Sequence, residues 1–200
     1  MCALNIVEQE LLPAKTRIHM EDPLAVAKFS WDLAMRLDRK GINANQEIIV
    51  LCIGTDRSTG DSLGPLIGTK LSFCPENDIN VFGTLDQPVH ASNLKEKMDK
   101  ISATHDKPFI IAVDACLGSM DNVGCINIGD GPLQPGAGVN KNLPPVGEVH
   151  ITGIVNVGGF LEYMVLQNTR LNTVMKMAEL IVEGLQKTLT QSGQQETRGF

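Results

Sequence analysis

The sequence predicts a three-layer α/β/α sandwich built on a mostly parallel sheet. Three observations carry this prediction: short apolar runs recur along the chain, amphipathic segments alternate with them, and aspartates follow two of the runs. Continuous β-branched runs are typical of strands buried on both faces, as in parallel sheets. The alternation therefore favours a sheet covered by helices on both sides.

A length of 200 residues suits one domain with a full core. We expect a single domain over residues 1–200, with an N-terminal extension at 1–20, an α/β core at 21–190 and a flexible tail at 191–200. No change of composition along the chain marks a linker.

The first element is a helix in EDPLAVAKFSWDLAMRLDRKG, where Asp22 is the cap, Pro23 takes the first helical position and Gly41 marks the end. Apolar residues at helical spacing predict the face that packs on the sheet. They are Leu24, Ala27, Trp31, Ala34 and Leu37.

The run IIVLCI (48–53) predicts a central parallel strand, and SLGPLIGTKLSF predicts a helix capped by Asp61. Further strands are predicted at INVFGTL, PFIIAVDAC, NVGCINIGDG and EVHITGIVNV, the third of these as a hairpin partner of PFIIAVDA. Helices are predicted at SNLKEKMDKISAT, GGFLEYMVLQ and LNTVMKMAELIVEGLQKTL. The Gly- and Pro-rich segment 131–145 predicts a long loop, which marks it as a candidate wall of a site.

Composition excludes several functions. The net charge is -6 and no face concentrates Lys and Arg, so we expect no nucleic-acid partner. No apolar run approaches the ~20 residues that span a bilayer and no signal peptide is visible, so we expect no membrane partner and a cytoplasmic location. Five cysteines without a C-x-x-C pair argue against a disulfide framework and a thiolate zinc site.

Asp61 and Asp114 are the candidate chemical groups, because each follows an apolar strand and parallel strands bring such positions to one edge of the sheet. Two close carboxylates do not both ionise easily, so one keeps a proton while the other acts as a base on water. With an imidazole, the same pair could hold a divalent metal. Each aspartate alone also fits a structural role. Asp61 could cap a helix, Asp56 could form an Asx turn, and Asp114 could bond the amides of the loop at the end of a strand.

Two other chemistries are weaker. The loop GTDRSTGDSLGP matches no phosphate-binding pattern, and its carboxylates would repel an anion. Cys116 could be a nucleophile activated by His90 or His150, but no specific spacing supports this pairing.

Three motifs, GDSLGP, VDAC and LQPGAGVNKN, occur in this order along the chain. The order resembles the spore germination protease, which has T-P-D-A-L-G-P, an aspartate after the third apolar strand and a Q-P-G-[SA]-G-V-x-N loop. More closely, GTDRSTGDSLGP with TLDQPVHASNL is similar to the sporulation protein family YyaC, and a wider similarity is to the hydrogenase maturation endopeptidases. The resemblance spans about residues 48–163.

The resemblance implies the phosphorylase/hydrolase-like fold of the maturation endopeptidases, with Asp61 and Asp114 as the catalytic pair. His150, in HITGI, falls where those endopeptidases place an H-x-x-G histidine. We expect no cofactor; if a divalent metal is bound, Asp61, Asp114 and His150 are its implied ligands. Expected substrate-binding residues are Asp56, Gly136, Gly138 and Asn140.

The leading hypothesis is a sporulation protein of the forespore or spore core that cleaves a protein or peptide during spore formation or germination, as an aspartate-dependent endopeptidase-like hydrolase. The alternative is a non-catalytic regulatory, metal-binding or peptide-binding protein that retains the protease fold. The apolar residues Met164, Val165 and Leu166 would suit a homodimer interface.

Overall fold

The computed structural model describes residues 12–42, 46–73, 79–135 and 143–194. Within these ranges one sheet is formed by β1 (Lys15–His19), β2 (Ile48–Cys52), β3 (Asn80–Phe82), β4 (Phe109–Gly118), β5 (Cys125–Asp130) and β6 (Val149–Val157). The strand order is β1-β5-β6-β4-β2-β3. The pairs from β6 to β3 are parallel, whereas β5 is antiparallel to both β1 and β6.

Helices cover both faces of the sheet. They are α1 (Ala25–Arg39), α2 (Leu63–Ser72), α3 (Leu94–Thr104), α4 (Glu162–Gln167) and α5 (Leu171–Gln194). Side chains of α1, α2 and α5 form an apolar cluster on one face, and those of α3 form a second cluster on the other. The predicted three-layer sandwich is confirmed. No helix in the described ranges has the length and apolar composition that a bilayer crossing requires.

Strand β2 occupies the middle of both clusters. Ile49 and Leu51 pack with α3, while Val50 and Cys52 pack on the opposite face, and all four are buried. This alternation explains why the run is apolar at every position. The prediction of a central parallel strand is therefore confirmed.

Of the five apolar residues predicted for the inner face of α1, only Leu37 is buried. Leu24 and Trp31 are 60% and 51% exposed. The buried residues are Ala25, Phe29, Asp32, Leu33, Arg36 and Leu37. The buried side of the helix carries Asp32 and Arg36. These two charged groups form an ion pair with each other, which offsets the cost of removing them from water.

The regular structure extends beyond both ends of the predicted α/β core, residues 21–190. Residues 15–19, placed in the N-terminal extension by the sequence, form the edge strand β1, and α5 continues to Gln194. The prediction that β5 is a hairpin partner of β4 is wrong, since β5 lies between β1 and β6. The connection from β4 to β5 contains a 3-10 turn at Met120–Asn122 and is too long for a tight hairpin.

Candidate acid-pair site

The site lies at the carboxyl ends of the neighbouring strands β2 and β4. The chain that leaves β2 runs to β3 on one side, while the chain that leaves β4 runs to β5 and β6 on the other, so the connections diverge between these two strands. In open α/β sheets such a switch point leaves a crevice in which ligands bind. The strand order alone thus predicts a binding crevice at the ends of β2 and β4.

The loop after β2 folds back onto the end of its own strand. Ile53 continues the ladder by one residue, donating its amide to the Val113 carbonyl at 2.7 Å. Gly54 then takes φ of +144°, and a Cβ there would lie 2.0 Å from the Asp61 carbonyl oxygen. Thr55 donates its amide to that same carbonyl at 3.1 Å. Only glycine fits this close approach, which holds Asp61 beside the end of β2.

Asp61 lies in a 3-10 turn, Gly60–Ser62, that precedes α2. The prediction that Asp61 caps this helix is wrong: the N-cap of α2 is Ser62, and the helix has no side-chain capping bond. The extra turn places Asp61 ahead of the capping position. Helix α4 covers the turn, because a Cβ at Gly60 would lie 2.8 Å from the Leu166 side chain.

Asp114 lies inside β4 rather than at its end as predicted, because β4 continues along β6 after β2 has stopped. It is one residue beyond Val113, which pairs with the last residue of β2, and it is in register with Thr152 of β6. The Ala115 amide donates to its Oδ1 at 2.8 Å. Asp114 therefore borders the space that the end of β2 leaves open.

The two carboxyl groups influence each other's ionisation. Burial raises the pKa of Asp61, while the Thr55 amide and the charge of His90 oppose the rise. Burial also raises the pKa of Asp114 well above its ordinary value, and the negative charge of Asp61 raises it further. Burial thus raises the pKa of both carboxyl groups, and the charge of Asp61 acts on Asp114.

His90 is a part of this site that the sequence did not assign to it. It follows Val89, which forms an isolated parallel bridge with Ile53. The Ser92 amide donates to its Nδ1 at 3.3 Å, which helps to orient the ring. The sequence analysis weighed His90 only as a partner for Cys116. The sequence feature that could have assigned His90 to the site is its position in TLDQPVHASNL, one of the motifs that carry the family resemblance.

His150 is held away from the acid pair. It is in register with Ala112, two residues before the Thr152 that flanks Asp114, and its Nδ1 lies 3.0 Å from the Gly131 carbonyl. Its ring fills the space over Gly129, where a Cβ would lie 2.5 Å away. In the ranges that the structure describes, no three or more His, Cys, Asp or Glu side chains are grouped so that they could hold a metal ion. The implied metal set with Asp61 and Asp114 is thus not assembled.

Cys116 lies on the same sheet face as Asp114, two residues further along β4. Burial raises the pKa of its thiol, the Thr152 hydroxyl opposes this and the charge of Asp114 adds to it. A thiol with a raised pKa is a poor nucleophile, which argues against cysteine catalysis here.

The remaining predicted residues have different outcomes. Asp56 is exposed at the tip of the loop. Gly136, Gly138 and Asn140 lie outside the described residues.

An apolar surface borders the site. Helix α4, which covers the turn of Asp61, and the residues just before it expose Phe160 (90%), Leu161 (58%), Tyr163 (61%) and Met164 (52%). Asn156 of β6 ties this segment down by donating to the Val165 carbonyl at 3.3 Å. We call these four residues the α4 surface.

Comparison with known proteins gives the family. The model of the family described as "Protein of unknown function (DUF1256)" matches residues 17–184. A relative, "Uncharacterized protein YyaC" of Bacillus subtilis (strain 168), is 61% identical over 145 residues, which are 72% of this chain and 71% of the relative. A solved structure, the [NiFe] hydrogenase maturation protease HycI from Thermococcus kodakarensis KOD1, matches with a TM-score of 0.46 and 19% identity, covering 75% of this chain and 99% of that one. With most of its length inside the family model, the chain belongs to the DUF1256 family, together with the YyaC protein of Bacillus subtilis.

Proposed function

We propose that the chain is a hydrolase that cleaves an amide bond in a protein or peptide with Asp61 and Asp114. The observation that carries the proposal is the coupling of the two carboxyl groups, in which the charge of Asp61 raises the pKa of Asp114. Pairs of titratable groups whose surroundings separate their pKa values are typical of acid and base assignments.

The chemistry divides between the two groups. Asp61, whose charge is favoured by His90 and the Thr55 amide, takes a proton from a water molecule as that water attacks the carbonyl carbon. Asp114 gives its proton to the carbonyl oxygen, which yields a tetrahedral diol. The diol then collapses as Asp61 gives its proton to the leaving nitrogen and Asp114 takes back a proton from one of the two hydroxyls. The C–N bond breaks, an O–C bond forms, and no covalent intermediate with the protein arises.

The substrate class follows from the α4 surface. Four exposed apolar side chains beside the turn of Asp61 would bind an apolar stretch of a polypeptide. The likeness of GDSLGP, VDAC and LQPGAGVNKN to the spore germination protease supports a role in spore formation or germination.

The test is cleavage of a peptide library prepared from a bacterial proteome, with new termini identified by mass spectrometry. We expect the wild type to produce new termini, and Asp61→Asn and Asp114→Asn each to lower the cleavage rate by about 10²-fold or more, because each removes one side of the proton transfer. Asp99→Asn, which changes an exposed carboxylate on α3, is the matched control and should cleave at the wild-type rate.

Two results would contradict the proposal. Cleavage that persists in both Asn variants would remove the acid pair from the mechanism. A wild type that cleaves nothing in the library or in a spore protein extract would favour the non-catalytic alternative.

A further inference from the structure

Among the residues that the structure describes, the outer edge of β1 has main-chain groups without a partner. Met20 donates its amide to the Gly124 carbonyl at 2.9 Å, and the Asp130 amide donates to the Ala14 carbonyl at 3.0 Å. Even-numbered residues of the strand thus bond to β5. In an antiparallel ladder the residues between them point their N–H and C=O groups the other way. These residues are Lys15, Arg17 and His19. Of their main-chain groups, the His19 carbonyl alone has a partner within the described ranges, the Asp22 amide at 3.0 Å.

An apolar groove runs beside this edge on the side of α1. Its volume is about 550 Å³, and its lining includes Leu12, Ile18, Leu24 and Trp31. Leu24 and Trp31 are each more than half exposed. Among the described residues, no other large apolar side chain of α1 or of its N-cap is this exposed. The groove can therefore receive side chains from a strand added to β1 on this face.

The other face of β1 is positively charged. Ile18 packs into the core on the α1 side, so the alternating residues Lys15, Arg17 and His19 project from the opposite face, and all three are exposed. Arg17 is held by neutral groups, donating to Asn127 Oδ1 at 2.9 Å and Asn122 Oδ1 at 2.7 Å. In the described ranges none of the three forms an ion pair with a carboxylate. A strand added here meets uncompensated positive charge.

We propose that β1 binds an extended acidic peptide segment of a partner protein as a seventh strand. The peptide's alternate apolar side chains fill the groove beside Trp31, while its acidic side chains face Lys15, Arg17 and His19. Main-chain hydrogen bonds to the open edge supply affinity, and the two faces supply selectivity. The surface belongs to the edge strand β1, whereas the acid pair lies at the ends of β2 and β4, so the inference does not depend on the proposed function.

A second copy of this chain does not fit the same edge. In an antiparallel pair about a two-fold axis at the centre of the strand, Arg17 would face Arg17. Like charges directly opposite each other destabilise a strand pair. Basic residues on an edge strand prevent such self-pairing and leave the edge open to an acidic strand.

The test uses the fluorescence of Trp31, the only tryptophan of the chain. The full-length protein is titrated with a blocked heptapeptide that alternates Glu and Val, and separately with one that alternates Lys and Val. We expect a saturable blue shift with the Glu peptide alone, and weaker binding at higher salt because the charges are exposed.

Lys15→Pro removes one outward N–H without touching the ladder to β5, and Lys15→Ala removes only the charge. We expect Lys15→Pro to weaken binding about tenfold more than Lys15→Ala does, a difference of about 1.4 kcal/mol. A Glu peptide methylated on the amides that face β1 repeats this test on the unaltered protein and should not bind.

Three outcomes would overturn the inference. The first is no spectral change at millimolar Glu peptide, and the second is equal binding of the Lys peptide. The third is binding that appears only when residues 1–11 are removed, which would assign the groove to this chain's own N-terminal segment.

Discussion

The Asp114→Asn variant is expected to be more stable than the wild type at pH 7. Burial and the charge of Asp61 raise the pKa of Asp114 in the folded protein, whereas the unfolded chain has an ordinary aspartate with a pKa of 3.8. Between these two values the folded state binds more protons, so stability falls as the pH rises through this window. An amide carries no charge and avoids this cost. We expect a gain of about 1–2 kcal/mol in the free energy of unfolding at pH 7.

The measurement is urea denaturation from pH 4 to pH 8 for the wild type, Asp114→Asn and Asp99→Asn. The wild type and the control should lose stability along the same curve as the pH rises above 3.8. The Asp114→Asn curve should be flatter and should lie higher at pH 7. A variant that is less stable than the wild type at every pH would show that the carboxyl group stabilises the fold, contrary to this account.

Arg36→Ala is expected to cause the largest loss of stability. Arg36 is fully buried and donates to Asp32 Oδ1 and to Asp130 Oδ2, both at 2.7 Å. It also donates to the carbonyls of Pro13 at 3.0 Å and Ala14 at 3.1 Å, which lead into β1. Its removal leaves the buried carboxylate of Asp32 without its partner. Breaking one side of such a pair costs about 3–5 kcal/mol.

Arg39→Ala is the matched control, because Arg39 binds the same Asp130 but is 31% exposed. An exposed ion pair contributes about 0–1 kcal/mol, so the control should change the free energy of unfolding little. Both values come from urea denaturation at pH 7. Equal costs for the two variants would mean that the buried network does not hold β1 and α1 together.

Local patterns in the sequence predicted the centre of the sheet well. The continuous apolar run of β2 and the stripe of Leu94, Met98 and Ile101 on α3 carry their own periodicity, and both pack as expected. The prediction that Asp61 and Asp114 act together rests on the same kind of pattern, because parallel strands place equivalent residues at one edge.

Elements that depend on distant partners were not predictable. From the sequence alone, the charged residues Asp32 and Arg36 are expected on the surface. In the structure Asp130 and the carbonyls before β1 bind Arg36, so the side of α1 that carries these charges is buried. Likewise, the position of His150 depends on strand register, which places its ring over Gly129. A single sequence has no local signal for either arrangement.

The most direct test of the acid pair is a carboxyl ¹³C NMR titration of protein labelled on its aspartates. The signal of Asp114 is assigned by its loss in Asp114→Asn. The account predicts that Asp114 titrates well above an ordinary aspartate in the wild type, and that Asp61→Asn lowers its pKa by removing the neighbouring charge. An Asp114 signal that titrates in the ordinary range, or that is unchanged by Asp61→Asn, would contradict the coupling on which the proposed function rests.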